Sequence, residues 1–198
     1  FKSLVSFSTP AMGRKLYAEK NYPPDHKWNQ LDYQNGDLNT SVIKTHLGRT
    51  IIVQWDETSP RPYTRLNLIQ GTRGTLAGYP TRVALEGGVP GITEDHHDWV
   101  EGDQLEKVYE KYDHPLYKRL NEQSKDSGHG GMDGIMMYRI VECLRKGKPI
   151  DQNVYEGAFW SAVTELSGRS IQQDGAPQSF PDFTRGKWKK TKPLEIIS

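Results

Sequence analysis

The chain has 198 residues, of which 34% are hydrophobic and 26% are charged, and its formal net charge is +1. That length suits one domain, or one domain with a small appendage, and a chain of this length can bury a hydrophobic core without disulfides or metal ions. A near-neutral charge gives no reason to expect a polyanion partner. A single cysteine, Cys143, excludes an internal disulfide framework and a thiolate zinc cluster. No apolar run approaches the length of a membrane span.

The first half of the chain consists of β-branched runs separated by turn signals. Strands are predicted at residues 1–8, 40–46, 50–56, 66–70, 75–77 and 82–85. Because short turns such as Leu47-Gly48-Arg49 join them, we expect antiparallel pairing rather than a parallel sheet built from crossovers. Residues 1–37 are interpreted as an irregular leading segment with a first strand and a short helix at 14–20, and residues 38–198 as a sheet-and-helix domain. Since the chain begins within a strand, we interpret it as part of a longer protein.

The second half of the chain carries helical spacing and helix-terminus signals. Helices are predicted at residues 103–112, from 115 onward, at 132–146 and at 152–167. Asp103 and Asp151 are the expected N-caps of the first and last of these, and Gly168 is the expected stop of the last. Strands followed by helices favour an α+β fold, with helices packed on one face of an open, mainly antiparallel sheet. The other face is expected to be solvated or to meet a partner.

Several motifs of cofactor and hydrolase chemistry are absent from the sequence. It contains no G-x-G-x-x-G, no P-loop, no G-x-S-x-G and no H-E-x-x-H. We therefore assign no cofactor-binding and no metal-binding residue to this chain. His96 and His97 are adjacent, so we expect their side chains to point in different directions and to be solvated beside acids; a metal pair is the alternative.

Other charged segments are interpreted as solvated surface. Two acidic pairs offer the carboxylates of an acid–base glycosidase: Glu94 with Asp95, and Glu101 with Asp103. Few apolar residues surround them in the sequence, so we expect these carboxylates to stay ionised and exposed. The tail at 183–192 (FTRGKWKKTK) is basic enough to raise the alternative of nucleic-acid contact. We expect instead that Phe183 and Trp188 attach the tail to the domain.

The run from Trp55 to Arg65 (WDETSPRPYTR) is the first candidate binding segment. Its two prolines fix the backbone, so the side chains around them are positioned in advance. Arg61 and Arg65 offer planar donor groups, Tyr63 offers a hydroxyl and an aromatic face, and Asp56 offers a carboxylate. This combination suits a sugar. The alternative is a rigid strand connection that is braced by Arg–Asp pairs.

The run from Gly128 to Asp133 (GHGGMD) is the second candidate segment. Its glycines let the backbone approach another group closely. His129 lies just outside a predicted helix N-terminus, where the helix dipole disfavours the imidazolium and favours the neutral ring. A neutral histidine there could bind a ligand hydroxyl or act as a base. The alternative is a glycine-rich linker whose histidine caps the helix or contacts a neighbouring loop.

Several of these segments together resemble a known family. The run NTSVIKTHLGRTIIVQWDETSPRPYTRLNLIQGTRGT and the following AGYPTR resemble the NAD-dependent α-N-acetylgalactosaminidase family of glycosidases. GHGGMD, DQNVYEGAFWSAVTELS and FPDFTRGKW resemble it too. The family belongs to the wider glucose–fructose oxidoreductase/inositol dehydrogenase class of two-domain enzymes. The resemblance covers most of residues 38 to 190, in order and at compatible spacing.

The resemblance implies an architecture and a chemistry. An N-terminal Rossmann domain, absent from this chain, would hold NAD, and this chain would be the C-terminal domain that faces the carbohydrate substrate. The sheet of this class often packs against another subunit, which implies a homo-oligomer. The implied reaction oxidises the sugar at C3, eliminates the aglycone, adds water and reduces the ketone, so that the net reaction is hydrolysis. This chain alone is expected to be inactive and to bind NAD negligibly.

The resemblance carries over to individual residues only in part. The tyrosine of the family's S-P-R-P-Y segment contacts substrate, and here it is Tyr63. Arg61 and His129 lie in matching segments and are assigned to substrate binding by inference. The family's main catalytic histidine precedes this chain, so no catalytic residue is assigned here. Gly134 and Trp55 depart from the family pattern, where a bulky aromatic and a histidine are common.

Two alternatives to this function remain open from the sequence. One is a domain of an NAD-dependent sugar dehydrogenase that releases NADH. The other is a binding or assembly module without catalysis. The compartment also stays open, between export from a bacterium, which is frequent in this family, and the cytoplasm. No nucleic-acid or membrane partner is expected.

Overall fold

The computed structural model describes residues 1–192, and the last six residues lie outside the described part of the chain. Within it, the strands form two four-stranded antiparallel sheets, ordered β3-β2-β1-β8 and β4-β5-β6-β7. The strands are β1 (Ser3–Ser8), β2 (Leu38–Lys44), β3 (Thr50–Asp56), β4 (Asn67–Gly71), β5 (Gly74–Gly78), β6 (Arg82–Leu85), β7 (Val100–Glu101) and β8 (Gln178–Ser179). The α-helices are α1 (Gly13–Asn21), α2 (Leu105–Tyr112), α3 (Pro115–Ser124), α4 (Met132–Arg145) and α5 (Val154–Gln172).

The α+β class and the antiparallel pairing are confirmed, but the strands divide between two sheets where the sequence predicts one. The division falls after β3, where the chain enters the segment with Pro60 and Pro62. Proline has no backbone N–H for a sheet ladder, so the first sheet cannot continue through it. The chain accordingly separates into two compact units. The first consists of residues 1–60 with the described residues from 151 onward, and the second of residues 61–150.

In the first unit, α5 packs against β1 and covers one face of the first sheet. Leu4 of β1 and Ile43 of β2 lie opposite each other in the ladder and are buried with Leu166 of α5. Small side chains beside them let the helix approach, and the N–H of Ser6 donates to the Oγ of Ser170 at 2.9 Å. The alternation of buried and exposed residues along β2 follows from the two-residue period of a strand.

The opposite surface of the first sheet, formed by Phe7, Val42 and Ile52 and their neighbours, is here called the outer face. Val42 pairs with Ile52 across β2 and β3, and both are exposed, Ile52 at 68%. Thr40 and Gln54 pair beside them. From the sequence this face is expected to be solvated or to meet a partner, and the structure places exposed valine and isoleucine side chains on it among polar ones.

In the second unit, a meander of four strands packs against α2. Val83 and Val100 pair between β6 and β7 and are buried against Leu105 and Val108 of α2. Helices α3 and α4 pack on each other. Among residues 1–192, none of the helices is long and apolar enough to cross a membrane.

The helices lie where the sequence predicts them, but two of the predicted caps are wrong. Helix α5 is capped by Asn153 rather than Asp151, and α2 follows a 3-10 turn without a side-chain cap from Asp103. Gly168 lies inside α5 rather than at its end. The cap of α3 is His114, whose Nδ1 accepts from Leu116 N at 3.2 Å, with Pro115 in the first turn as predicted.

The predicted domain boundary at residue 38 falls inside the first sheet. Strand β1 precedes that boundary and β2 begins at it, and the two pair over six residues from Ser3 with Lys44 to Ser8 with Asn39. The leading segment therefore contributes a central strand as well as the predicted short helix, which is α1.

Candidate functional site

Tyr63 lies in the second unit, on the proline-held segment before β4. Its side chain is 76% exposed. The Nε of Arg65 donates to the Tyr63 hydroxyl oxygen at 2.9 Å, and this hydrogen bond raises the pKa of the Arg65 guanidinium above its ordinary value. A phenol oxygen that accepts one hydrogen bond still carries its own proton as a donor. Arg65 therefore fixes the hydroxyl of Tyr63 and leaves it able to donate to a ligand.

Tyr79 is a second aromatic member of this site, and the sequence reasoning missed it. Its ring lies 6.1 Å from that of Tyr63, centroid to centroid, at an interplanar angle of 37°. The hydroxyl of Thr64 donates to the Tyr79 carbonyl oxygen at 3.3 Å and accepts from Leu66 N at 3.1 Å, which ties the two segments together. In the sequence, the AGYPTR run is distinguished only by the family resemblance. We call Tyr63, Arg65 and Tyr79 the Tyr63 cluster.

The other side chains of the Trp55–Arg65 run have different surroundings. Arg61, in the second unit, is exposed. Asp56 belongs to the first unit, where its Oδ1 accepts from Thr58 N at 3.2 Å and Ser59 N at 3.0 Å. The Asp56 carboxylate thus closes the turn that ends β3. Trp55 is exposed, and its Nε1 donates to Glu57 Oε1 at 2.8 Å.

His129 lies on a 3-10 turn directly before α4, as its sequence position predicts. Its Nδ1 is 3.0 Å from Asp133 Oδ2, one turn further along, and its side chain is exposed. The carboxylate orients the ring, so that Nε2 is the nitrogen left for a ligand. Gly134 follows, and a Cβ there would lie 2.4 Å from Ser127 Oγ. A bulky residue at position 134 would therefore displace Ser127.

One prediction about His96 and His97 is wrong. Their rings stack, with centroids 4.5 Å apart and an interplanar angle of 26°. The two residues lie in a bend rather than in a strand or helix, so the alternation of a regular element does not apply to them. Both are exposed beside Asp95, as predicted, and the N–H of His97 lowers the pKa of that carboxyl. Among residues 1–192, no group of three or more His, Cys, Asp or Glu side chains is placed to hold a metal ion.

The predicted exposure of the acidic pairs and the predicted attachment of the tail are confirmed. The four acidic residues of the two pairs, Glu94, Asp95, Glu101 and Asp103, are exposed. In the tail, the ring of Phe183 meets that of Phe159 on α5 edge-on at 5.2 Å, and Trp188 stacks on His46 at 4.5 Å. These aromatic contacts attach the tail to the first unit.

Two antiparallel sheets, each packed against a helix, and an exposed tyrosine–arginine cluster on a proline-held segment define an α+β domain. The family model described as "Glycosyl hydrolase 109, C-terminal domain" matches residues 1–190. The chain belongs to glycosyl hydrolase family 109 and corresponds to its C-terminal domain, which confirms the resemblance seen in the sequence.

Relatives with this family name come from several bacteria. The chain is 63% identical to glycosyl hydrolase family 109 protein 1 of Akkermansia muciniphila and 59% identical to protein 2 of the same organism. It is 52% identical to a glycosyl hydrolase family 109 protein of Shewanella baltica. Each match covers 100% of this chain but only 41% or 42% of the relative. The chain therefore spans about two fifths of the length of these relatives.

Proposed function

We propose that this chain is the substrate-facing domain of a glycoside hydrolase that acts on N-acetylgalactosaminides with the help of NAD. The observation that carries the proposal is the Tyr63 hydroxyl, exposed and fixed by Arg65, on the S-P-R-P-Y segment of a chain that belongs to glycosyl hydrolase family 109. The chemistry of the whole protein would be the oxidation, elimination, addition and reduction that the resemblance implies.

The Tyr63 cluster would orient the sugar. The phenol proton of Tyr63 donates to a hydroxyl or acetamide oxygen of the substrate, while the rings of Tyr63 and Tyr79 offer faces for its C–H groups. Arg65 stays charged and holds the phenol oxygen in place, so little side-chain freedom is lost on binding. Arg61 and His129 remain proposed substrate-binding residues.

The described residues do not form a binding site that suits NAD. No role in a reaction step of NAD is therefore given to them. Dinucleotide sites use parallel strands and a glycine-rich turn that opens a helix N-terminus toward the pyrophosphate. Both sheets here are antiparallel, and the N-terminus of α1 already holds the carboxylate of Asp37, which would repel a phosphate. We propose that NAD is bound by another part of the parent protein, for which the greater length of the relatives leaves room.

The test uses Tyr63→Phe in the full-length protein, with an N-acetylgalactosaminide as substrate. Loss of one neutral hydrogen bond should lower kcat/KM by about tenfold. Tyr112→Phe, at the exposed end of α2, is the matched control and should leave kcat/KM unchanged. Equal values for Tyr63→Phe and wild type would remove Tyr63 from the site. Sugar release without net NADH supports the glycosidase, whereas stoichiometric NADH would identify a dehydrogenase.

We also propose that the outer face of the first sheet serves self-association. Its valine and isoleucine side chains at Val42 and Ile52 are exposed next to each other, although apolar surface on a sheet is normally covered. A second copy of the chain is the proposed occupant, in keeping with the class to which the sequence is similar.

A further inference from the structure

A cavity of about 420 Å³ lies in the first unit. It opens between the first turns of α1, the loop that follows α1 and the end of β3. Its volume falls in the range of small-molecule sites, about 300–1,000 Å³. We call it the Trp28 pocket; its lining includes the side chains of Arg14, Tyr17, Trp28, Tyr33, Glu57 and Thr58.

One wall of the Trp28 pocket is aromatic and held rigidly without being buried. Tyr22 and His26 stack at 4.4 Å, and Trp28 stands edge-on to both, at 4.6 and 5.3 Å. The hydroxyl of Tyr33 donates to the Trp28 carbonyl oxygen at 3.0 Å. Trp28 nevertheless remains 38% exposed and Tyr17 60% exposed. Large rings that are fixed yet exposed are suited to bind the face of a ligand, because little conformational entropy is lost when the ligand binds.

The loop that carries this wall is fixed by its own side chains. Asn29 Nδ2 donates to the carbonyl oxygens of Tyr22, at 3.1 Å, and Pro23, at 2.9 Å. Gln30 Nε2 donates to the carbonyl oxygen of Pro24 at 2.9 Å. Apart from the 3-10 turn at Lys27–Asn29, a polar loop such as this would otherwise be free to change its conformation. These bonds hold the aromatic wall in one arrangement.

The opposite wall is polar but electrically balanced. Arg14 of α1 forms an ion pair with Glu57, whose other oxygen accepts from Trp55 Nε1. Asp37 accepts from Met12 N at 3.0 Å and Gly13 N at 2.9 Å, so the N-terminus of α1 is already satisfied by an anion. The lining thus offers one guanidinium and one carboxylate. This wall favours an uncharged ligand with several hydroxyl groups over a phosphate or sulfate.

We propose that the Trp28 pocket binds a neutral pyranose residue of a glycan. The C–H face of the sugar packs on the rings of Trp28 and Tyr17, and its hydroxyls exchange hydrogen bonds with Arg14 and Glu57. This inference stands on the geometry of the first unit and is independent of Tyr63, which belongs to the second unit.

The experiment is fluorine NMR of the full-length protein labelled with 5-fluorotryptophan. The Trp28 signal is assigned by its disappearance in Trp28→Phe. Titration with N-acetylgalactosamine and with galactose should shift that signal saturably, whereas sodium sulfate at matched ionic strength should not. A Trp28 signal that ignores both sugars, or that responds to sulfate alone, overturns the proposal.

Two variants at Tyr17 test the aromatic side of the pocket by the same Trp28 signal. Tyr17→Ala should weaken sugar binding at Trp28 by about tenfold, and Tyr17→Leu, which preserves helix propensity, should do the same. Tyr155→Ala, an exposed tyrosine on α5, is the matched control and should leave binding unchanged. Equal affinities for wild type and both Tyr17 variants would contradict the proposal.

Tyr63→Phe separates this inference from the proposed function. It should lower hydrolysis and leave the sugar-induced shift of Trp28 intact. If the shift at Trp28 is lost together with hydrolysis, the signal reports the Tyr63 site and the Trp28 pocket is not a binding site. If hydrolysis proves independent of Tyr63 while Trp28 still responds to sugar, the proposed role of Tyr63 fails and the pocket stands.

Discussion

Asp37 holds α1 in place against the end of β3. Its carboxylate accepts from the backbone N–H groups of Gly13 and Met12, and the bond from Gly13 is the main cause of its lowered pKa. The Thr58 hydroxyl and the charge of Arg14 lower it further. Gly13 allows this close approach, because a Cβ there would lie only 2.6 Å from Thr58 Cβ. One carboxylate thus joins the helix N-terminus to the polar wall of the Trp28 pocket.

Asp37→Asn should therefore destabilise the full-length protein in a pH-dependent way. Because folding lowers the pKa of Asp37, its charge stabilises the fold above the ordinary value of 3.8, and this contribution disappears as pH falls through the folded-state pKa. The variant should have a lower Tm than wild type at neutral pH, with the difference shrinking at pH values below 3.8. Asp25→Asn, in the same segment, serves as control. A constant difference across pH would contradict the assignment.

Contacts between side chains are easiest to predict where the two partners are close in sequence. Tyr63 was singled out from two prolines and its neighbours, and its partner Arg65 is two positions away. Tyr79 was not singled out, because its approach to Tyr63 depends on how β4 and β5 pair. The Trp28 pocket was missed as well, since Glu57 meets Arg14 only after β3 has been placed beside β2.

Helix α5 is the element that holds the first unit together, and its N-terminus carries a full capping box. Asn153 Oδ1 accepts from Tyr155 N at 2.9 Å and Glu156 N at 3.3 Å, while Glu156 Oε2 accepts from Asn153 N at 2.7 Å. The reciprocal pair satisfies backbone donors that a helix otherwise leaves without partners.

Asn153→Ala should lower the free energy of unfolding by about 1 kcal/mol, within the range of about 0.5–2 kcal/mol for lost N-caps. Urea unfolding followed by intrinsic fluorescence measures it. Gln152→Ala, one residue outside the cap, is the matched control and should change stability little. Equal stabilities of the two variants would show that Asn153 does not act as the cap.

The sequence contained the signal for this cap. Asp151 and Asn153 are both good N-cap residues, but only Asn153 has a glutamate three positions later, which is the mark of a capping box. The helix continues through Gly168 because the residues on both sides of it are needed in the core. Leu166 and Ser170 are buried against the sheet, and that burial outweighs the roughly 1 kcal/mol penalty of a glycine in a helix.

At the scale of the whole molecule, the outer face of the first sheet is the surface proposed for self-association. Ile52→Lys would place a charge among Val42 and its neighbours, and it should weaken self-association of the full-length protein by at least about tenfold. Sedimentation equilibrium measures the change. Leu47→Lys, in the exposed turn between β2 and β3, makes the same substitution off this face and should have no effect. A wild-type protein that stays monomeric at high concentration would contradict the proposal.

The class of fold was predictable from the chain, and the division into two sheets was not. Runs of β-branched residues and short turns indicated each strand of the first half separately. The pairing of β1 with β8, at Ser3 with Ser179 and Leu4 with Gln178, joins segments from opposite ends of the chain. Local patterns carry no information about such a pairing, which depends on how α5 packs across the sheet.

Because the first unit is discontinuous in sequence, its strands β1–β3 and its covering helix α5 leave the ribosome at different times. The described residues of the second unit, 61–150, are synthesised before α5 and β8. Until α5 emerges, the face of β1 and β2 that it will cover has no helix packed on it. Ser6 and Ser41 lie next to Leu4 and Ile43 on the face that α5 covers. These hydroxyls should make the newly synthesised sheet less prone to aggregate with other chains than an all-aliphatic surface would be.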